Sequence, residues 1–87
     1  MGRYSVVFRK SVARDLRRIP KQQVRRIVAA IDSLSENPRP PDSERLSWQE
    51  RYRLRQGVYR IIYEIDDERV LVVVVKIGHR KDVYRRV

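Results

Sequence analysis

Cysteine is absent from the sequence, which excludes a disulfide framework and a thiolate metal site. Histidine occurs once, at position 79. One imidazole cannot serve as both base and acid, and no second one exists to complete a transition-metal site, so neither a metal nor another cofactor is expected. Long apolar runs are missing too. The longest, Val70 to Val75, falls far short of the roughly 20 residues that cross a bilayer. The N-terminus also lacks the apolar stretch of a signal peptide, so a soluble, cytoplasmic protein with no membrane partner is expected. None of the patterns GxxxxGK[ST], GxSxG and HExxH occurs, which leaves nucleotide hydrolysis, acyl transfer and zinc hydrolysis unsupported.

Acidic residues are scarce relative to basic ones: 11 against 21, a formal net charge of +10 on 87 residues. Of the basic residues 17 are arginine and 4 are lysine. Guanidinium groups grip phosphate in a forked, bidentate way and stack on bases, so the bias points to nucleic acid. The charge is concentrated in residues 1–26, 51–63 and 76–87, while the segments between are net acidic. A chain of this length makes a single domain, residues 1–87, with a thin core.

Residues 3–8, RYSVVF, alternate and read as a strand. Ser11 is placed to cap a short helix carrying Val12, Leu16 and Ile19 on one side. Pro20 ends it or starts the next. Over Lys21 to Ser35, Val24, Ile27, Val28, Ile31 and Leu34 follow helical spacing, and the proline-rich ENPRPPDSE at 36–44 ends that helix in a loop. A hairpin in YRLRQGVYRIIY then leads through an Asp66-Asp67-Glu68 turn to an inner strand at 70–75. The order β-α-α-β-β-β predicts an α+β fold, an antiparallel sheet with two N-terminal helices packed on one face.

The hairpin raises a chemical question. A two-residue Gln56-Gly57 loop pairs Arg53 with Arg60, Leu54 with Tyr59 and Tyr52 with Ile61. Side chains alternate faces, so Tyr52, Leu54, Tyr59, Ile61, Tyr63 and Ile65 share a buried surface while Arg51, Arg53, Arg55 and Arg60 crowd the other. Like charges directly opposite destabilise a sheet. Either each arginine finds a carboxylate such as Glu64 or Glu50, or a polyanion arrives. Arg80 and Tyr84, in the tail HRKDVYRRV, could fold beside them, and Tyr84 could stack on a base. Trp48 suits edge packing or stacking, and the Asp66-Asp67-Glu68 cluster suits a solvated turn better than a cation site.

YRLR, GVYRIIYEI and GHRKDVY closely resemble the RelE-like toxins of the RelE/ParE superfamily, and the order and length of the elements match across nearly the whole chain. That resemblance implies a microbial-ribonuclease-like fold and a metal-independent endoribonuclease that cleaves mRNA in the ribosomal A site. It further implies catalytic residues at Arg53, Arg55, Arg60, Arg80 and Tyr84. Arg53 and Arg60 would clamp the scissile phosphate, Arg80 would meet the leaving oxygen, and Tyr84 would orient the nucleotide. Where some relatives carry a lysine proposed as base, this chain has Arg55, and a guanidinium, which keeps its proton in proteins, does not abstract one. His79, Glu50 or no dedicated base remain, with His79 preferred because imidazole ordinarily titrates near pH 6.5.

The expected partners are mRNA, ribosomal RNA and an acidic antitoxin protein. Arg14, Arg17, Arg18, Arg25, Arg26 and Arg51 are the candidate RNA-binding residues. Two other functions fit the same charge: a ParE-like DNA gyrase inhibitor, and a non-catalytic nucleic-acid-binding module.

Overall fold

The computed structural model describes residues 3–46 and 50–83. Its elements run β1 (Ser5–Phe8), α1 (Lys10–Arg17), α2 (Lys21–Ser33), β2 (Ser43–Arg45), β3 (Tyr52–Gln56), β4 (Tyr59–Asp66) and β5 (Leu71–His79). The five strands form one sheet in the order β1-β5-β4-β3-β2. Both helices pack on one face, as expected for an α+β fold. Two features depart from the sequence reading. The sheet is mixed, because β1 runs parallel to β5, and the end of the proline-rich segment becomes an edge strand rather than loop.

Local chemistry accounts for most of these elements. Pro20 stands at the N-cap of α2, where its fixed φ and missing N–H cost nothing. Ser11 does not cap α1; Arg9 occupies that position and gives no side-chain cap, so Ser11 falls within the first turn. Val12, Ile19, Ile27, Ile31 and Leu34 descend from the helices onto Leu54, Ile61, Tyr63, Val72, Val74 and Ile77. Val28, expected in that stripe, is instead 45% exposed on its flank.

The Val70–Val75 run needs neighbours on both sides, and the sheet supplies them: Leu71–Val74 lies between β1 and β4. Val70 belongs to the preceding turn at φ 53. This left-handed conformation is a true outlier for a β-branched residue and costs roughly 1–2 kcal/mol.

A bulge on β5 sets Ile62 against Lys76 but Tyr63 against Val74, leaving Val75 as the extra residue. Val75 turns to the side away from the helices and meets Ile62, Val83 and Leu46 in a second small core. The arginine-bearing face is therefore not open to water throughout; Leu46 and Val83 roof its middle.

The proline-rich segment is tied to the sheet by a chain of contacts. Tyr63 is fully buried, its hydroxyl donates to the Pro38 carbonyl at 2.7 Å, and burial pushes its pKa up to about 12. Tyr52 stacks on Tyr63, and the Arg39 guanidinium lies over the Tyr52 ring. Arg39 grips Asp67 with two nitrogens while the Tyr4 hydroxyl donates to the same carboxylate, holding Asp67 below the usual carboxylate range. The acidic turn is thus engaged in structure. Among the described residues, no group of three or more His, Cys, Asp or Glu side chains is arranged to hold a metal ion.

Candidate active site

The hairpin turns through Gly57 and Val58, not Gln56 and Gly57: Gln56 pairs with Tyr59, Arg55 with Arg60, Leu54 with Ile61 and Tyr52 with Tyr63. Gly57 has φ 60, a value glycine adopts without a Cβ clash, and stands first in the loop as a type II′ hairpin requires. The register moves by two residues, an even number. Each side chain therefore keeps its expected face, but the partners change. Arg53 lies opposite Ile62, and the two arginines that face one another are Arg55 and Arg60.

Four arginines on one face consequently have two environments. At the base of the hairpin, Arg51 Nε donates to Glu64 Oε2 at 3.0 Å, and Arg9 approaches the same carboxylate at 3.7 Å. Arg53 donates to Glu44, its register partner on β2. These two side chains are only 25% and 19% exposed. Glu50, the other expected partner, lies 3.9 Å from Arg45 instead.

At the tip no carboxylate among the described residues bridges Arg55 or Arg60. Arg60 folds back over the turn, its Nη1 donating at 2.9 Å to the carbonyls of both Gly57 and Tyr59. Those acceptors orient the guanidinium without cancelling its charge. Arg55 is exposed directly opposite.

The chain returns to this tip after β5. The Arg80 N–H donates to the Val58 carbonyl at 2.7 Å, which pins the backbone of Arg80 to the hairpin turn. Gly78, the cross-strand partner of Arg60, makes room for the C-terminal turn: a Cβ at position 78 would stand 3.4 Å from that of Val83. Val83 is fully buried against Ile62, seating that turn on the arginine face. Glycine within a strand signals such close approach, and this signal at Gly78 was available in the sequence. Tyr84 lies outside the described residues, as does Trp48.

His79 does not join the arginines. Paired with Tyr59, it shares the helix-covered face, where the two rings make an edge contact at 6.0 Å, and its Nδ1 accepts the Lys81 N–H. Alternation along β5 thus separates it from the Arg60 side chain. The helix arginines Arg14, Arg17, Arg18, Arg25 and Arg26 are all exposed. Arg14 and Arg18 border β5 beside Lys76.

Among the described residues, the tip thus presents guanidinium groups to which no carboxylate or imidazole is bonded. Comparison with known proteins gives the family. Residues 6–84 match the model of the ParE toxin of the type II toxin–antitoxin system, parDE. Toxin RelG of Mycobacterium tuberculosis is 36% identical over 85 residues, covering 95% of this chain and 98% of that protein.

Among solved structures, the RelBE2 toxin–antitoxin complex of M. tuberculosis contains a chain with a TM-score of 0.81 at 33% identity, covering 94% of this chain and 97% of that one. The archaeal RelE–RelB complex of Pyrococcus horikoshii gives 0.81 at 29%, covering 92% and 98%. Isolated RelE of Escherichia coli, at 20% identity over 87% of this chain and 83% of that one, shares the fold with a TM-score of 0.76. With the order of elements, the arginine tip and these matches in agreement, the chain belongs to the ParE toxin family of type II toxin–antitoxin systems, as a RelE-like toxin of the RelE/ParE superfamily.

Proposed function

We propose that the protein is a ribosome-dependent endoribonuclease that cleaves mRNA in the A site, needs no metal, and is silenced by an acidic antitoxin. One observation carries the reading: Arg55, Arg60 and the backbone of Arg80 converge on a hairpin tip where no carboxylate among the described residues neutralises the guanidinium groups. Like charges held together at a cost in stability suit a site whose counter-charge arrives with the substrate.

Cleavage proceeds by attack of the ribose 2′-oxygen on the adjacent phosphorus, with rupture of the bond to the 5′-oxygen. The products are a cyclic phosphate and a 5′-hydroxyl. Negative charge grows first on the phosphorane oxygens and then on the leaving oxygen, so fixed cations stabilise the transition state more than the ground state. Arg55 and Arg60 bracket the phosphate, Arg80 neutralises the leaving oxygen, and Tyr84 orients the nucleotide. Arg53, bound to Glu44, acts as a positioning residue that holds β3 to β2 rather than as a clamp. With no dedicated base, in-line placement of the message by the ribosome supplies much of the rate. Arg17, Arg25 and Arg26 dock on ribosomal RNA. An antitoxin partner is supported by the relatives solved with RelB and by the +10 charge, which favours an acidic protein.

The match to the ParE toxin model favours a second reading, inhibition of DNA gyrase on the same fold. Purified protein added to programmed ribosomes, to bare mRNA and to a gyrase supercoiling assay separates the two. Cuts at A-site codons on ribosomes alone are expected. Gyrase-linked DNA breaks without RNA cuts would replace the first reading with the second.

A further inference from the structure

A second basic feature begins where β1 ends. β1 pairs with β5 only through Leu71–Val74, so the edge of Val75–His79 is left to α1. Asp15 takes the place of the missing strand: its Oδ2 accepts the Ile77 N–H at 3.1 Å, and its Oδ1 lies 3.5 Å from Lys76 Nζ. Two clefts flank this tie and share Asp15, Arg18 and Lys76 as walls. One, about 500 Å³, opens at the edge of β5, with Tyr59, Ile77 and His79 of the helix-covered face on one side and Gly78 and Val83 on the other. The other, about 390 Å³, continues to Arg9, Arg14 and Arg51. Together they make a trough along the open half of β5.

The trough keeps positive charge that its own acids do not cancel. Asp15 is engaged by Lys76 and the Ile77 amide, and Glu64 is shared by Arg51 and Arg9. Asp82 is the remaining carboxylate in its walls. Arg14 and Arg18 have no carboxylate within bridging distance among the described residues. They stand one helical turn apart, Arg14 on α1 and Arg18 at its C-cap, and both line the same groove. The start of α1 adds to this potential, for it has neither a side-chain cap nor an acidic residue in its first turn, and Ser11 lies in the cleft wall.

We infer that this trough is a binding track for the ribose-phosphate backbone of the same RNA strand that is cut at the tip, with Arg14 and Arg18 each taking a phosphate. The inference rests on the nuclease reading for the identity of the strand and adds a second contact region to it. A concave groove between a helix and a strand edge admits one flexible backbone, whereas a duplex of ribosomal RNA meets a convex surface such as the exposed side of α2. The two clefts adjoin at Asp15, Arg18 and Lys76, and the wall of the first includes Gly78, the residue opposite Arg60. Arg17, Arg25 and Arg26 line neither cleft, so the helix arginines divide into two sets with different RNA targets.

The test is equilibrium binding of a short, uncleavable 2′-O-methyl oligonucleotide across a salt titration, using the full chain. Arg14→Ala/Arg18→Ala is compared with the charge-matched Arg3→Ala/Arg69→Ala, and melting curves establish that both fold. The trough variant is expected to bind about tenfold or more weakly and to flatten the log–log salt slope by about 1.4, the release expected from two single-strand phosphates. The control should keep nearly the wild-type slope. Equal losses in both variants, or an unchanged slope in the trough variant, would overturn the track. Because the probe cannot be cut, failure of ribosomal cleavage with trough-dependent binding intact removes the nuclease reading alone. Normal cleavage with an unchanged slope removes only the track.

Discussion

The two ends of the β3–β4 hairpin carry the same residue type on the same face and serve opposite purposes. At the base, Arg51 and Arg53 are largely covered and held by Glu64 and Glu44. At the tip, Arg55 and Arg60 face each other, and among the described residues Arg60 has backbone carbonyls as its partners. Sequence proximity does not produce the difference. It comes from what lies across the sheet: β2 and the middle of β4 bring carboxylates to the base, whereas Gly78 and the Arg80 turn stand across from the tip and no carboxylate among the described residues bridges Arg55 or Arg60. Charge paired within the fold stabilises the fold, and charge left unpaired is available to a substrate.

The strongest way to break this contrast is to remove tip cations. Arg60→Ala and Arg80→Ala should each lower ribosome-dependent cleavage by about 10²-fold or more, the usual consequence of losing a transition-state donor. Melting temperatures should barely move. Rates near wild type in both variants would leave the tip without its assigned role.

At the base the effects should invert. Arg53→Ala is expected to cost about 1–2 kcal/mol of stability in denaturant unfolding, more than an exposed pair because the side chain is mostly covered. Glu44→Gln in the Arg53→Ala background should then add little, since the two losses share one interaction. Cleavage per folded molecule should fall much less than in the tip variants. A loss as large as that of Arg60→Ala would restore Arg53 as a clamp on the phosphate.

The division of faces was legible in the sequence, but the partners were not. Strand alternation survives any even slip in register, so the Gln56-Gly57 and Gly57-Val58 loops give the same buried set from Tyr52 to Ile65. Only the φ of 60 at Gly57, which places glycine first in the loop, selects between them. That two-residue shift exchanges Arg53 for Arg55 opposite Arg60. The long helix and the inner strand were legible because their apolar spacing persists over many residues. The direction of β1 was not, since a four-residue strand carries no local mark of being parallel, and β2 was hidden because Ser43-Glu44-Arg45 has little intrinsic preference for a strand. Nor does periodicity show that Leu46 and Val83 roof the arginine face, because these contacts join distant parts of the chain.

A smaller effect sharpens the comparison from the tip. Arg55→Thr removes the charge directly opposite Arg60 and places a β-branched residue in the strand. Stability should rise by a few tenths to about 1 kcal/mol in chemical denaturation. Cleavage should fall at the same time. A destabilised Arg55→Thr protein would mean that the facing guanidinium groups do not repel and that the tip is not held at a cost.

The smallest expected effect concerns His79. Its ring lies against Tyr59 on the helix-covered face, across the strand from Arg60, and one nitrogen is already occupied by the Lys81 amide. A base must come within hydrogen-bond reach of the 2′-hydroxyl, and a side chain on the opposite face of a strand does not. His79→Gln keeps a polar group able to accept the Lys81 N–H, so the C-terminal turn that carries Arg80 should stay seated. Cleavage of ribosome-bound message should therefore remain near wild type. A large loss of cleavage in a folded His79→Gln protein would show that the histidine communicates with the tip, and it would reverse the assignment of a site that works by positioning and fixed charge alone.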